Sequence, residues 1–325
     1  MRRTSTALRI VRVPVCALST ASLGAHAQTT ATWPGARFGH GMAYHAGTGA
    51  TVVFGGERTV EGRTRLGETW LWDGTRWSLA AALGPSPRMD VAMVYDQARD
   101  RIVLFGGQGP NGQMLADTWE WDGRAWAKRD DGTPGVRMHP VMAYDATRRR
   151  IVLVGGAGDG GWLTDTWEWD GTRWERRATT GPAFMASAAY DASRNAVVAL
   201  TVPAQDGSPA NGMVTWTGAE WRPLPVASVP PVEPLVPLVA GPMPNALVTY
   251  RSNYRGGDAA TWLWNGSTWA SQGASAITPG PLLAYAAAFD ARRQRVVLFG
   301  GLRLGEVATD ALWEWGPDGW VERRP

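Results

Sequence analysis

Apolar and polar positions along this chain fall into short blocks that keep returning in the same order. "VMAYD" (141–145) is followed by a polar turn, "ATRRR" (146–150), and by a β-branched run into two glycines, "IVLVGG" (151–156). After a longer Gly-rich loop comes "DTWEWDG" (165–171). The stretch before repeats the series as "AMVYD" (92–96), "IVLFGG" (102–107) and "DTWEWDG" (117–123), with "ETWLWDG" (68–74) earlier still. β-Branched and aromatic runs bounded by Gly-Gly and Asp-Gly predict strands and tight hairpins. No stretch spaces its apolar residues as an amphipathic helix would. Each unit therefore predicts four antiparallel strands: one ending in Tyr, one running into Gly-Gly, the W-x-W strand, and one beginning at Trp77, Trp126, Trp174, Trp221, Trp269 or Trp320.

Taking Trp70, Trp119, Trp167, Trp216, Trp262 and Trp313 as anchors, the units are 49, 48, 49, 46 and 51 residues apart. That period matches a four-stranded propeller blade of roughly 50 residues. The expectation is an all-β, six-bladed propeller with blades at approximately 37–84, 85–133, 134–181, 182–229, 230–278 and 279–325, preceded by a tail at 28–36. The pattern of Gly106-Gly107, Trp119 and Trp126, repeated in Gly155-Gly156, Trp167 and Trp174, resembles the Kelch family over about 37–323. The fourth and fifth units keep the spacing but lose the letters. Their doublets are expected at Thr201-Val202 and Thr249-Tyr250, and Pro237, Pro242 and Pro244 surround the fifth unit's first strand. Blade six takes its first and last strands from one repeat, so ring closure is left to blade packing and the tail around Trp33.

Seventeen of the 19 tryptophans lie in these motifs, which makes them packing between blades rather than a ring of sugar-stacking indoles, since a site would be local. Asp117, Asp165 and Asp310 are expected to satisfy loop backbone donors, and Asn265 in "NGS" replaces the turn Asp.

Composition adds a compartment. Arg2, Arg3, Arg9 and Arg12 precede "VPVCALSTASLGA" (13–25), and the run ends in Ala25-His26-Ala27. Residues 1–27 are expected to be a secretory signal, so the protein would be exported, periplasmic or extracellular. Without them the formal charge falls from +3 to −1, so nothing argues for a global nucleic-acid footprint. The single cysteine, Cys16, leaves with the leader, and with it disulfide and thiol chemistry. No segment has the ~20 apolar residues of a transmembrane helix, and a monomer is expected.

Function is sought where the units differ. Arg37, Arg88 and Arg137 each stand seven residues before a strand-one Tyr, whereas Ala183 and Leu282 hold that place in blades four and six. Arg58 and Arg303 follow the second strand, as do Arg251 and Arg255 in blade five. Together they would form a positive arc able to bind carboxylate or sulfate, or the entrance arginines would tie loop carbonyls together. Trp162 and Tyr254 lie on the same loops and either stack on a sugar or tuck into a neighbouring blade. His40, His45 and His139 lack metal-ligand spacing, so no metal and no cofactor is expected. The first reading is a non-catalytic binding module for an acidic glycan or an acidic protein segment. The Kelch resemblance also implies an alternative, an enzyme like the periplasmic sialic acid mutarotases, with Glu61 and Glu68 as candidate acid/base groups beside Glu57. A structural role in the envelope is the third.

Overall fold

The computed structural model describes residues 32–59, 62–80, 84–182, 185–202, 212–231, 233–251, 259–273 and 277–324. Within them the chain forms six sheets of four antiparallel strands, each in simple up-and-down order. Blade one comprises Gly41–His45, Ala50–Phe54, Thr69–Trp72 and Trp77–Ala80; blade two comprises Ala92–Asp96, Arg101–Phe105, Thr118–Trp121 and Trp126–Asp130. First strands pack against first strands round a closed circle, the sixth (Ala286–Asp290) against the first. Second strands such as Arg101–Phe105 are buried at every position after the first, so the core lies between blades. Three two-stranded ribbons, Glu57–Arg58 with Thr64–Arg65, Ala157–Gly158 with Gly161–Trp162, and Leu302–Arg303 with Val307–Ala308, rise from the loops after the glycine doublets.

The recurrent "DTWEWDG" is a hydrogen-bonding code between blades. Its second Trp donates to the preceding blade's Glu: Trp169 Nε1 to Glu120 Oε1 at 3.3 Å, Trp216 to Glu168 at 2.8 Å, Trp72 to Glu314 at 3.0 Å. Its Thr accepts from the following blade's last-strand Trp: Thr69 from Trp126, Thr118 from Trp174, Thr166 from Trp221, Thr261 from Trp320. Its leading acid accepts from its own first Trp, as in Glu68 with Trp70, Asp117 with Trp119 and Asp165 with Trp167. The Asp of Asp-Gly caps turn amides, Asp122 accepting from Arg124 and Ala125.

At several places where a letter departs from the code, its partner is orphaned, although in blade five Trp264 turns to Asp191 and Trp269 to Met213 Sδ instead. Leu71 replaces the Glu, and Trp121 Nε1 has no acceptor; Leu312 replaces the Thr, and the Trp77 indole is unpaired; Ala260 and Ala311 replace the acid, leaving Trp262 and Trp313 without one. Each orphan forfeits about 1–3 kcal/mol relative to a satisfied donor.

Strand register corrects three expectations. Trp216 pairs with Trp221 as Trp169 pairs with Trp174, so it is the second Trp of its motif rather than the first. In blade five, Thr249 lies opposite Trp262 as Leu104 lies opposite Trp119, which moves the doublet position to 251–252. Phe299 pairs with Leu312 as Phe105 pairs with Thr118, so Ala311 and not Asp310 stands in the acid's place.

The glycine doublets exist because two backbones press on them. Gly106, at φ +67°, would bring a Cβ to 2.6 Å from the Arg137 carbonyl, and one on Gly107 would lie 2.5 Å from the Met89 carbonyl. Gly107 N–H donates to that Arg137 carbonyl at 2.9 Å, which bolts the doublet to the next blade's entrance.

The ring closes without a shared strand. Arg37 N–H donates to Thr309 O, Gly39 N–H to Ala284 O, and Gly301 N–H to Arg37 O. Trp33 packs edge-on against Trp72 and Trp77, with its indole donating to Asp310 O at 3.1 Å.

Candidate functional site: the loop end of the central channel

The expected arginine arc is taken up by the scaffold. Arg37, Arg88 and Arg137 are each 1% exposed. Arg88 forks onto Asp117 with contacts of 2.5 and 2.9 Å and also donates to Gly106 O and Ser86 O. Arg137 forks onto Asp165 at 2.8 and 3.1 Å and reaches Gly155 O and Pro134 O. Arg37 donates to Glu68 at 2.9 Å and to Gly55 O and Gly35 O. Asp117 and Asp165 thus hold guanidinium and indole groups, which corrects their expected role as acceptors for loop amides. The arginine and its acid also disappear together: blade six has Leu282 and Ala311. Burial pushes the Asp117 carboxyl up, but Arg88 and Trp119 outweigh it and hold it below the usual carboxylate range. Asp165 and Glu68 behave likewise, so Glu68, a candidate acid, is an ionised partner of Arg37.

The other singled-out residues are scattered. Arg58 and Arg303 are exposed at matching places on the ribbons of blades one and six. Arg251 donates to Pro231 O. Glu57 is buried beneath Arg63 and Arg65. His45 accepts from Thr48 N–H. Glu61, Tyr254 and Arg255 lie outside the described residues.

A different site emerges from the closed circle of first strands, which encloses a cavity of about 1300 Å³ along the propeller axis. Its walls are side chains such as Met42, Met93, Val141, Ala188, Val239 and Ala286, one face of each first strand. One end is set by Gln97 and Gln294; the loop end gathers His40, Asp90, His139 and the 56%-exposed Trp162. A chain of backbone bonds shapes that loop end: Asp90 N–H donates to Gly39 O at 2.7 Å, and His139 N–H to Asp90 O at 3.0 Å. Gly39, Asp90, His139 and Ala284 stand two residues after the entrance position of their blades, and all four are left-handed. The scaffold imposes the backbone there and leaves the side chain open to choice.

What that choice places in the channel is polar and underused. The Asp90 carboxyl side chain is 8% exposed and, among the described residues, accepts no hydrogen bond; His139 Nε2 lies 3.4 Å from it. Burial pushes Asp90 up to about 7 against the charge of Arg65, a guanidinium bound to Glu57 and to Gln108 Oε1 at 2.8 Å. Burial takes His139 down to about 4, so its ring is neutral beside Asp90. His40, buried edge-on against Phe299, has neither ring nitrogen in a well-formed hydrogen bond, with only the Phe299 backbone in reach. Burial and the charge of Arg37 bring it down to about 3. Among the described residues no three His, Cys, Asp or Glu side chains converge as metal ligands would. Sequence reasoning noticed both histidines but missed Asp90. Its signal was the offset: Met-Asp after Arg88, where Met-His follows Arg137.

No protein-family model and no curated protein matches the chain. Among solved structures, the one titled "Structure of YjhT" superposes with a TM-score of 0.61 and 14% identity, covering 90% of this chain and 99% of that one. The architecture is therefore that of a six-bladed β-propeller.

Proposed function

We propose that the protein is an exported binding module, not an enzyme, and that its ligand enters the loop end of the central channel. The observation that carries this reading is the channel itself. Cavities of several hundred Å³ with apolar walls and a few convergent polar groups are the usual form of small-molecule sites, and this one ends in Asp90, His139, His40 and Trp162. Export rests on the basic and apolar pattern of 1–27. An acidic glycan or acidic segment on the loop face draws its support from the exposed Arg58 and Arg303 on neighbouring blades. The test is a thermal-shift screen of small molecules and saccharides with wild type, Trp162→Ala and Arg88→Ala. A ligand shift lost in Trp162→Ala but kept in Arg88→Ala, which melts lower on its own, supports the channel. A shift produced only by acidic saccharides and indifferent to Trp162 returns the site to the ribbons.

A further inference from the structure

We propose that the channel selects an amphiphilic organic amine, its ammonium group held by Asp90 at the loop end and its apolar body lying between the first strands. The inference rests on the channel reading above and adds the ligand's chemical class.

Three observations converge. First, Asp90 is a carboxyl side chain more than nine-tenths buried that lines the cavity and, among the described residues, accepts no hydrogen bond. A carboxylate that is largely desolvated yet faces the cavity gains from a charged donor brought to it. Second, its surroundings suit a cation. The titratable or charged groups facing it are Arg65 from the blade-one ribbon and His139 from blade three. Arg65 makes no ion pair with Asp90 and is engaged by Glu57 and Gln108. His139 is neutral, and its imidazole offers an acceptor or a single donor but no charge. An anionic headgroup at this end would meet the Asp90 carboxyl side chain instead of a cation. Third, the walls beyond this end are alanine, valine and methionine side chains, which favour a hydrocarbon body.

The charge logic gives the site a pH signature. An ammonium needs Asp90 ionised, and burial holds its pKa near 7. Alkylamines stay protonated well above that value, so amine binding strengthens as pH rises through neutrality, whereas binding of a neutral analogue stays flat.

The experiment is isothermal titration of the purified protein with octylamine, octanol and octanoate, at about pH 6 and about pH 8. Wild type, Asp90→Asn and Asp90→Gly are compared. Both variants tolerate the left-handed backbone at this position, glycine being the residue that blade one places there as Gly39. Melting curves confirm that each is folded. The expected result is binding of octylamine roughly tenfold tighter than octanol at the higher pH, as one charged hydrogen bond is worth about that much. The preference narrows at the lower pH and is lost in both variants, which still bind octanol. Equal affinity of wild type for amine and alcohol, or a preference that survives in both variants, overturns the amine assignment while the channel stands as a binding site. No binding of any of the three probes overturns the channel reading with it.

Discussion

Trp169 of blade three donates its indole N–H to Glu120 of blade two, and the equivalent donor one blade earlier, on Trp121, packs against Leu71 with no acceptor. The same bond is thus present at one junction and absent at the next, which isolates its worth. Glu120 also holds Arg129 at 2.8 Å, so Glu120→Leu strands two donors. It is expected to cost about 1–3 kcal/mol in urea unfolding. Leu71→Gln supplies the missing acceptor without a charge and is expected to stabilise by up to about 1 kcal/mol.

The entrance arginines are buried and paired within the blades, so their replacement is expected to register in stability. Arg88→Ala leaves the buried Asp117 carboxylate without its fork and is expected to cost about 3 kcal/mol or more. Because Asp117 is held below its ordinary range, the stability it contributes is complete above the unfolded carboxylate pKa of about 4 and is lost as pH falls through the folded value. The gap between wild type and Arg88→Ala therefore shrinks as unfolding is followed from neutral pH into acid.

Asp90 works in the opposite sense. Its folded pKa of about 7 lies above the unfolded one, so its contribution is fully present below about pH 4 and declines as pH rises to 7. Asp90→Asn is expected to be more stable than wild type at pH 8, the difference vanishing towards pH 4. A variant less stable than wild type at pH 8 would mean that the carboxylate is better solvated than its burial implies.

His40 and His139 are depressed to about 3 and about 4, so their stability is whole above the unfolded imidazole pKa of about 6.5 and falls away below it. Replacing His40 by Gln is expected to flatten the loss of stability between about pH 6.5 and pH 4. Denaturant midpoints across that range give the slope directly.

Ring closure offers a mechanical test. Trp33→Ala removes an indole packed on Trp72 and Trp77 together with the bond to Asp310, and is expected to cost about 1–3 kcal/mol. Hydrogen exchange should then accelerate first in blades one and six, where the tail bridges the ring, and leave blades three and four at wild-type rates.

The sequence by itself determined the blades, because strand alternation, Asp-Gly turns and glycine doublets are local devices whose chemistry is complete within a few residues. It also marked Arg37, Arg88 and Arg137 as special, since they recur at one offset in three adjacent blades and are replaced in blades four and six. Only the tertiary structure decided what they do: Arg88 and Asp117 are 29 residues apart and meet through sheet pairing. The same holds for Trp169 and Glu120, whose partnership exists only once two blades stand side by side. The channel was least legible of all. Its walls are residues from six separate strands, each ordinary in its own unit, and the polarity of its loop end depends on Asp90 and His139 from adjacent blades. A concave site formed by closing a ring has no local signature, because the quantity that defines it, shared enclosed volume, belongs to no single repeat.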